Sequence, residues 1–293
     1  MENKTQSIIN IPSFLFQIYN PSKVSFLKKI FLIVFGKVVQ FFYKYTKNRT
    51  FCYFMNILLP KYSKISFNDG FYFKTILENH KIYYPNKRIT RVIGANNQIF
   101  KKLFETYCLD KIEFNDGDIV IDCGANIGEL NYSFYLNGLS VQYIAFEPDS
   151  ESFQCLIKNK ITGNELHYKY ALSNTIGEQK FFLDSYGGNS SIVFFGSKKY
   201  EIVKTTTLDS LNLHEKIKLF KLEAEGYEPE VIEGSLNTLK IIEYVSVDFG
   251  AERGVTGENT VIAVNNLLIN NNFELIDFSN YRMVGLYKNK TLR

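Results

Sequence analysis

Residues Asp118 to Pro148 constrain the fold of this chain more than any other stretch. Ile119, Val120 and Ile121 form a short apolar run, the pattern of a strand buried on both faces of a parallel sheet. The run stops at Asp122-Cys123-Gly124-Ala125-Asn126-Ile127-Gly128. Leu130, Phe134 and Leu136 follow at roughly helical spacing, and Asn137-Gly138 supplies a helix stop. Val141 to Phe146 reads as a second strand, with Glu147-Pro148 at its tip. The stretch is therefore one βαβ unit, with a glycine loop after its first strand and an acid after its second. Ligands of open α/β sheets sit at the carboxyl ends of strands, where such loops lie.

The loop's chemistry suits an anionic, sugar-bearing ligand. Gly124 and Gly128 remove Cβ atoms that would hold a ligand off the backbone. The following helix start offers N–H groups to a carboxylate. Glu147 lies about twenty residues on, where an acid can take both hydroxyls of a ribose. The dinucleotide fingerprint G-x-G-x-x-G lacks its first glycine here, which weighs against a dinucleotide oxidoreductase, and the G-K-[ST] of a P-loop is absent. A lone G-x-x-x-G also closes ordinary tight turns, so a purely structural loop stays open at this point.

Asp122-Cys123-Gly124-Ala125-Asn126-Ile127-Gly128 followed by Ala145-Phe146-Glu147-Pro148 resembles the S-adenosylmethionine site of class I methyltransferases, and the FkbM family in particular. Tyr170-Ala171-Leu172-Ser173, Gly188-Asn189-Ser190-Ser191, Thr206-Thr207-Leu208-Asp209 and Phe220-Lys221-Leu222-Glu223-Ala224-Glu225-Gly226 fit the same family in the same order. The resemblance spans about residues 113–288 and does not reach residues 1–60. It implies an α/β fold: a Rossmann-like seven-stranded class I methyltransferase sheet ending in an antiparallel hairpin. It implies S-adenosyl-L-methionine as cofactor, held by Asp122, Gly124, Ala125, Asn126, Gly128, Glu147, Pro148, Ala171 and Leu172. In similar folds the loop after the third strand passes the adenine ring. No metal is expected, because no His/Cys/Asp cluster compels one.

The chain then divides into a basic, apolar helical extension (1–60), an accessory or cap region (61–112) and the methyltransferase domain (113–288). Residues 1–64 carry ten Lys or Arg and one acid, Glu2, a charge of +9. The whole chain is +4, so the remainder is −5. A basic segment on an acidic domain suits a polyanion, and a membrane surface is the favoured partner. Nucleic acid is not, since the excess lies outside the catalytic domain. Phe26 to Phe42 is apolar but broken by Lys28, Lys29 and Lys37, short of the ~18 uninterrupted apolar residues of a spanning helix. An interfacial helix and a helix packed on the catalytic domain both fit, and neither is excluded. Cys52, Cys108, Cys123 and Cys155 show no C-x-x-C spacing, which suits free thiols and a reducing cytoplasmic location; the basic segment suits a peripheral position on the inner face of the membrane.

Asn68-Asp69-Gly70 between Ile65-Ser66-Phe67 and Phe71-Tyr72-Phe73 predicts a hairpin. Ile99 to Leu109 predicts a helix, with Ile99, Leu103, Phe104 and Tyr107 on its apolar side. Asp149 or Ser150 caps the next helix, with Phe153, Leu156 and Ile157 as its buried stripe. Glu165–Leu172 reads as a third strand, and Gly177–Leu183 and Glu201–Thr207 as two more, flanking Gly187-Gly188-Asn189-Ser190-Ser191. That cluster is an ordinary loop or an acceptor-side loop. Glu228-Pro229-Glu230 opens a helix with Val231, Ile232 and Leu236 inward, and Asn259–Asn271 forms another with Val261, Ile262, Val264, Leu267 and Leu268 apolar.

Leu219 to Gly226 is the second informative stretch. Strand alternation would set Lys221, Glu223 and Glu225 on one face. Charges converging at a strand end are costly to bury unless paired. Methyl transfer to a hydroxyl needs a positioned carboxylate to take the proton, so Glu223 and Glu225 are the candidate catalytic acids, with Lys221 beside them. Their separate roles stay open. The family pattern resembles K-I-D-x-E-G, and Glu223 stands where Asp is expected, so the carboxylate is displaced by about a bond length. The reading is an O-methyltransferase acting on a sugar hydroxyl of a glycan or secondary metabolite. Its alternative is an inactive cofactor-binding or scaffold module in a membrane-associated glycan-assembly complex.

Overall fold

The computed structural model describes residues 25–76, 80–93, 98–184, 188–279 and 282–292. The opening residues 1–22, Gly187 and Asn280, on which some expectations rest, lie outside the described residues. The chain forms two compact units, 1–99 and 100–293.

In the first unit, α1 (Phe26–Tyr45) and α2 (Asn48–Leu58) precede a three-stranded antiparallel sheet of β1 (Ile65–Asn68), β2 (Phe71–Ile76) and β3 (His80–Tyr84). Asn68 pairs with Phe71 across the expected turn, and Asp69 and Gly70 both take left-handed φ, as a tight two-residue hairpin requires. Phe51 and Met55 of α2 are fully buried, and the Asn56 side chain bonds both the N–H and the C=O of Ile65, fastening α2 to β1.

The short helix α3 (Gln98–Thr106) leads into the second unit. There follow β4 (Ile119–Cys123), α4 (Glu129–Leu136), β5 (Gln142–Phe146), α5 (Ser150–Lys158), β6 (Glu165–Tyr168), β7 (Ala171–Leu172), β8 (Gly177–Phe182) and β9 (Tyr200–Thr206). The chain ends with β10 (Ile217–Leu222), α6 (Glu228–Glu233), β11 (Ile242–Asp248), α7 (Val261–Asn270), β12 (Phe273–Phe278) and β13 (Val284–Asn289). Seven strands form one sheet in the order β12-β13-β11-β10-β4-β5-β6. Strands β11, β10, β4, β5 and β6 are parallel, and β13 is antiparallel to both neighbours. This is the Rossmann-like sheet with a terminal antiparallel hairpin that the motifs implied. Chain order reverses at β4, which is therefore the switch point where ligands of such sheets bind.

Several local expectations are corrected. The single strand Glu165–Leu172 is two strands in two sheets: β6 edges the main sheet, while β7 pairs with β9 in a small sheet β7-β9-β8. The buried side of α5 is Ser152, Cys155 and Leu156, and Ile157 faces out. Leu236 and Ile262 are exposed as well. On α5 the buried side is set by Cys155 and Leu156, one step round the helix from Ile157, so hydrophobicity alone does not mark the inward face.

Candidate functional site

The glycine loop is wired to the strand ends around it. Gly124 and Ala125 both donate their N–H groups to the Phe146 carbonyl at 3.0 Å. Asn126, at φ 51°, donates its N–H to Glu147 Oε2 at 2.7 Å, and Asp149 N–H meets Glu147 Oε1 at 2.8 Å. Glu147 is 5% exposed. Burial, reinforced by Asp149, pushes its carboxyl up to about 8 despite the two backbone donors. Each oxygen keeps a second acceptor position. Asp149 also caps α5, accepting from Ser152 N–H at 2.7 Å.

The glycines have a packing reason of their own. Gly124 is at φ 73°, and a Cβ there would collide with the Glu223 carbonyl. A Cβ on Gly128, at φ 86°, would lie 2.9 Å from the Leu156 side chain. Close approach of the backbone requires glycine at 124, and the left-handed φ favours it at 128, whatever the loop holds.

Beside the loop, β10 contributes a buried ion network. Lys221 is 3% exposed, lies 2.9 Å from Asp122 and 3.2 Å from Glu223, and donates to the carbonyls of Cys123 and Gly124 at 3.1 Å each. The Tyr143 hydroxyl donates to Asp122, and the Tyr107 hydroxyl donates to Glu223. Arg282 reaches Glu223 at 2.8 Å and also pairs with Asp248. Burial alone would lower the Lys221 pKa, but Asp122, Tyr107 and Glu223 outweigh it and hold the ammonium charged. Burial raises the Asp122 carboxyl, outweighing Lys221 and the Tyr143 hydroxyl, with a small further push from the Glu223 charge.

The three charged candidates on this stretch part company. β10 ends at Leu222, so strand alternation does not extend to Glu225, which takes a left-handed φ of 51°. Lys221 and Glu223 meet; Glu225 sits in a separate turn. That turn is held by Glu228, whose Oε1 accepts from Ala224 N–H at 2.9 Å and Gly226 N–H at 3.0 Å. Burial resists ionisation of Glu223, but Lys221 and Arg282 carry it well below the usual carboxylate range. Burial and the Glu223 charge push Glu225 up to about 11. The same two causes raise Asp248 to about 7, against the pull of Arg282. The cluster therefore drives its carboxyls apart, Glu223 toward the ionised form and Glu225 and Asp248 toward the protonated form.

The remaining expected positions fall around this centre. Pro148 and Ala125 are buried, while Asn126 and Gly124 are half-buried. Ala171 and Leu172 are buried and pair with Thr205 and Thr206 in the small sheet. Ser191 donates its hydroxyl to the Glu225 carbonyl at 2.8 Å, which ties the Ser/Gly loop to the Glu225 turn. Tyr107, Asp248 and Arg282 were missed. Tyr107 looked like one more apolar helix position, and Arg282 sits beside the β12–β13 turn with no local signal. Asp248 did carry one: like Glu147, it is an acid at the tip of a buried strand.

The Methyltransferase FkbM domain matches residues 122–275, more than half of the chain. The chain belongs to the FkbM methyltransferase family, and the domain it carries is a methyltransferase domain of Rossmann-like α/β fold. Among curated relatives, the hexuronic acid methyltransferase AglP of Haloferax volcanii is 26% identical over 143 residues, 47% of this chain and 59% of that protein. The chain thus spans about three-fifths of that relative's length. Among solved structures, a methyltransferase FkbM from Methylobacillus flagellatus aligns with a TM-score of 0.44 at 12% identity, covering 68% of this chain and 52% of that one. A protein of the NADB-Rossmann superfamily from Streptococcus agalactiae aligns at 0.40 and 13%, covering 64% and 68%.

Proposed function

We propose that the protein is an S-adenosylmethionine-dependent O-methyltransferase whose acceptor is a sugar hydroxyl, with a uronic acid-bearing glycan as the first acceptor class to test. One observation carries the reading. At the switch point of the sheet, a buried carboxylate on the tip of β5 is hydrogen-bonded to the backbone of the glycine loop after β4. That pairing suits a ribose diol beside an adenosyl-binding loop, and the chemistry of Glu147, with an acceptor position left on each oxygen, fits the cofactor. Asp122, Gly124, Ala125, Asn126, Gly128, Glu147 and Pro148 would hold it, with Ala171 and Leu172 behind. The acceptor class is suggested by what the Haloferax volcanii relative is named for.

When bound, S-adenosylmethionine supplies an electrophilic methyl carbon for in-line displacement by the acceptor oxygen. The chain's part is to align that oxygen and take its proton. Glu223 already accepts from Tyr107, Lys221 and Arg282, so it acts as an anchor that fixes these donors rather than as the base. Glu225, driven toward its protonated form, would offer a hydrogen-bond donor on the acceptor side. Asp248 receives the hydroxyl proton on its carboxylate, and Arg282 steadies the charge before transfer. Groups with environments that push their pKa values apart are the usual mark of divided acid and base roles.

Glu223 in place of the family's Asp also supports a second reading, a cofactor-binding module without transfer. One experiment separates the two. The full-length protein is titrated with S-adenosylhomocysteine in a calorimeter and then incubated with methyl-labelled cofactor and uronic acid-bearing oligosaccharides. Binding with label transfer supports the enzyme, binding without transfer to any hydroxyl acceptor supports the module, and no binding removes both. The basic excess of residues 1–64 suits a peripheral contact with an anionic surface, in keeping with an acceptor assembled there.

A further inference from the structure

The amino-terminal helix α1 has two different faces, and the packing face lies on α2. Val39 is fully buried, Phe42 stacks on Phe54 of α2 with ring centroids 4.0 Å apart, and Tyr43 meets Phe51 edge-on. That side is an ordinary packing face. On the other side Phe26, Leu27, Phe31, Val34, Phe41 and Tyr45 are each more than half exposed. At 100° per residue these six fall within an arc of about 140°. The stripe runs the whole helix, about 30 Å at the usual rise. A continuous apolar face of that length is not the scattered single exposure normal for a soluble surface.

Charge says what the face fits. Residues 25–64 contain eight Lys or Arg and no Asp or Glu. Lys37 and Lys44 lie at one margin of the stripe and are exposed, as are Lys47, Lys61 and Lys64 beyond it. A second protein copy would bring the same positive charge against itself, whereas an anionic lipid surface takes the rings and the lysines together. No described helix is long and apolar enough to cross a membrane.

We propose that the outward face of α1 is a membrane-docking surface. It lies flat on anionic lipid, its rings at the acyl boundary and its lysines among the headgroup phosphates. Methyl transfer is not needed for this, and the test does not read it. Full-length protein is pelleted with vesicles of phosphatidylcholine alone or of phosphatidylcholine with phosphatidylglycerol. The parent should pellet with the anionic vesicles and remain in solution with the neutral ones. The variant Leu27→Ser/Phe31→Ser/Val34→Ser should bind about tenfold more weakly or worse, with an unchanged circular dichroism spectrum and melting curve. A parent that stays in solution with both vesicles, or a folded variant that pellets like the parent, overturns the proposal. So does a light-scattering mass showing a dimer that the variant reduces to a monomer, which would assign the face to a second copy. Pelleting that appears only after residues 1–23 are removed would assign the face to the chain's own opening segment and overturns it as well.

Discussion

At the carboxyl ends of β4 and β10, Lys221 and Asp122 lie 2.9 Å apart, both almost without exposure, while on α1 Phe26 and Leu27 stand about three-quarters exposed. Each region reverses the usual placement, with charge inside in one and hydrocarbon outside in the other. They tolerate it for different reasons. The buried charges are affordable because each has a named opposite: Asp122 and Glu223 for Lys221, Glu223 and Asp248 for Arg282. The exposed rings have no such compensation among the described residues, so their cost is relieved by whatever covers the face. A reversal with internal partners marks a site that organises its own chemistry, and one without them marks a surface for association.

The largest expected effect breaks the first half of that contrast. Lys221→Met leaves Asp122 buried without a cation and Glu223 with Arg282 alone, and should cost roughly 3–5 kcal/mol in urea unfolding. Adding Asp122→Asn and Glu223→Gln should return part of it; a single variant as stable as the parent would show that these charges are hydrated.

Glu147→Ala comes next. S-adenosylhomocysteine affinity should fall by roughly 1–3 kcal/mol, since the charge-assisted bonds to the ribose are lost while the fold persists. Calorimetry reads this directly, and unchanged affinity would mean that the acid has been given the wrong role.

The pH dependence sharpens the picture of a reluctant carboxylate. Glu147 is raised from 4.5 to about 8, so the folded state binds its proton more tightly than the unfolded chain. Its stabilising contribution is present below 4.5 and is lost as pH rises to about 8. Asp248 adds a loss of the same sign between 3.8 and about 7. Unfolding free energy should therefore decline from mildly acid to alkaline pH, with Glu225, raised to about 11, adding a loss of the same sign, and Glu147→Gln should make the slope below about pH 8 shallower. Ribose hydroxyls favour the ionised form of Glu147, so ligand binding near neutral pH should release protons. Calorimetry in buffers of different ionisation enthalpy would detect this.

The smallest effects lie on α1 and compare its two faces. Val39→Ala should cost about 1 kcal/mol or more of stability, and Leu27→Ser no more than about 0.5 kcal/mol. Equal costs in thermal melts would mean that both faces are packed.

Much of the fold was legible in the chain because its signals are local. The βαβ unit, the Asp149 cap and the Asn68-Asp69-Gly70 hairpin each follow from spacing and turn chemistry within a few residues. The paired placement of Gly124 and Glu147 was legible for the same reason, through a fixed chain separation across one crossover. The site's charge partners were not. Tyr107 meets Glu223 across 116 positions, and Arg282 reaches it across 59. No periodicity carries information over such distances.

The amino-acid sequence by itself determined the order of elements, the strands that must be buried, the glycine loop with its acid, and the basic character of residues 1–64. Those properties depend on backbone preference, side-chain period and charge, all written residue by residue. Only the tertiary structure decided that Glu225 leaves the line of Lys221 and Glu223, that their surroundings push the two carboxyls in opposite directions, and that α1 packs with one apolar face and bares the other. Those outcomes depend on which groups from distant segments share a low-dielectric space, and chain order does not encode that proximity locally.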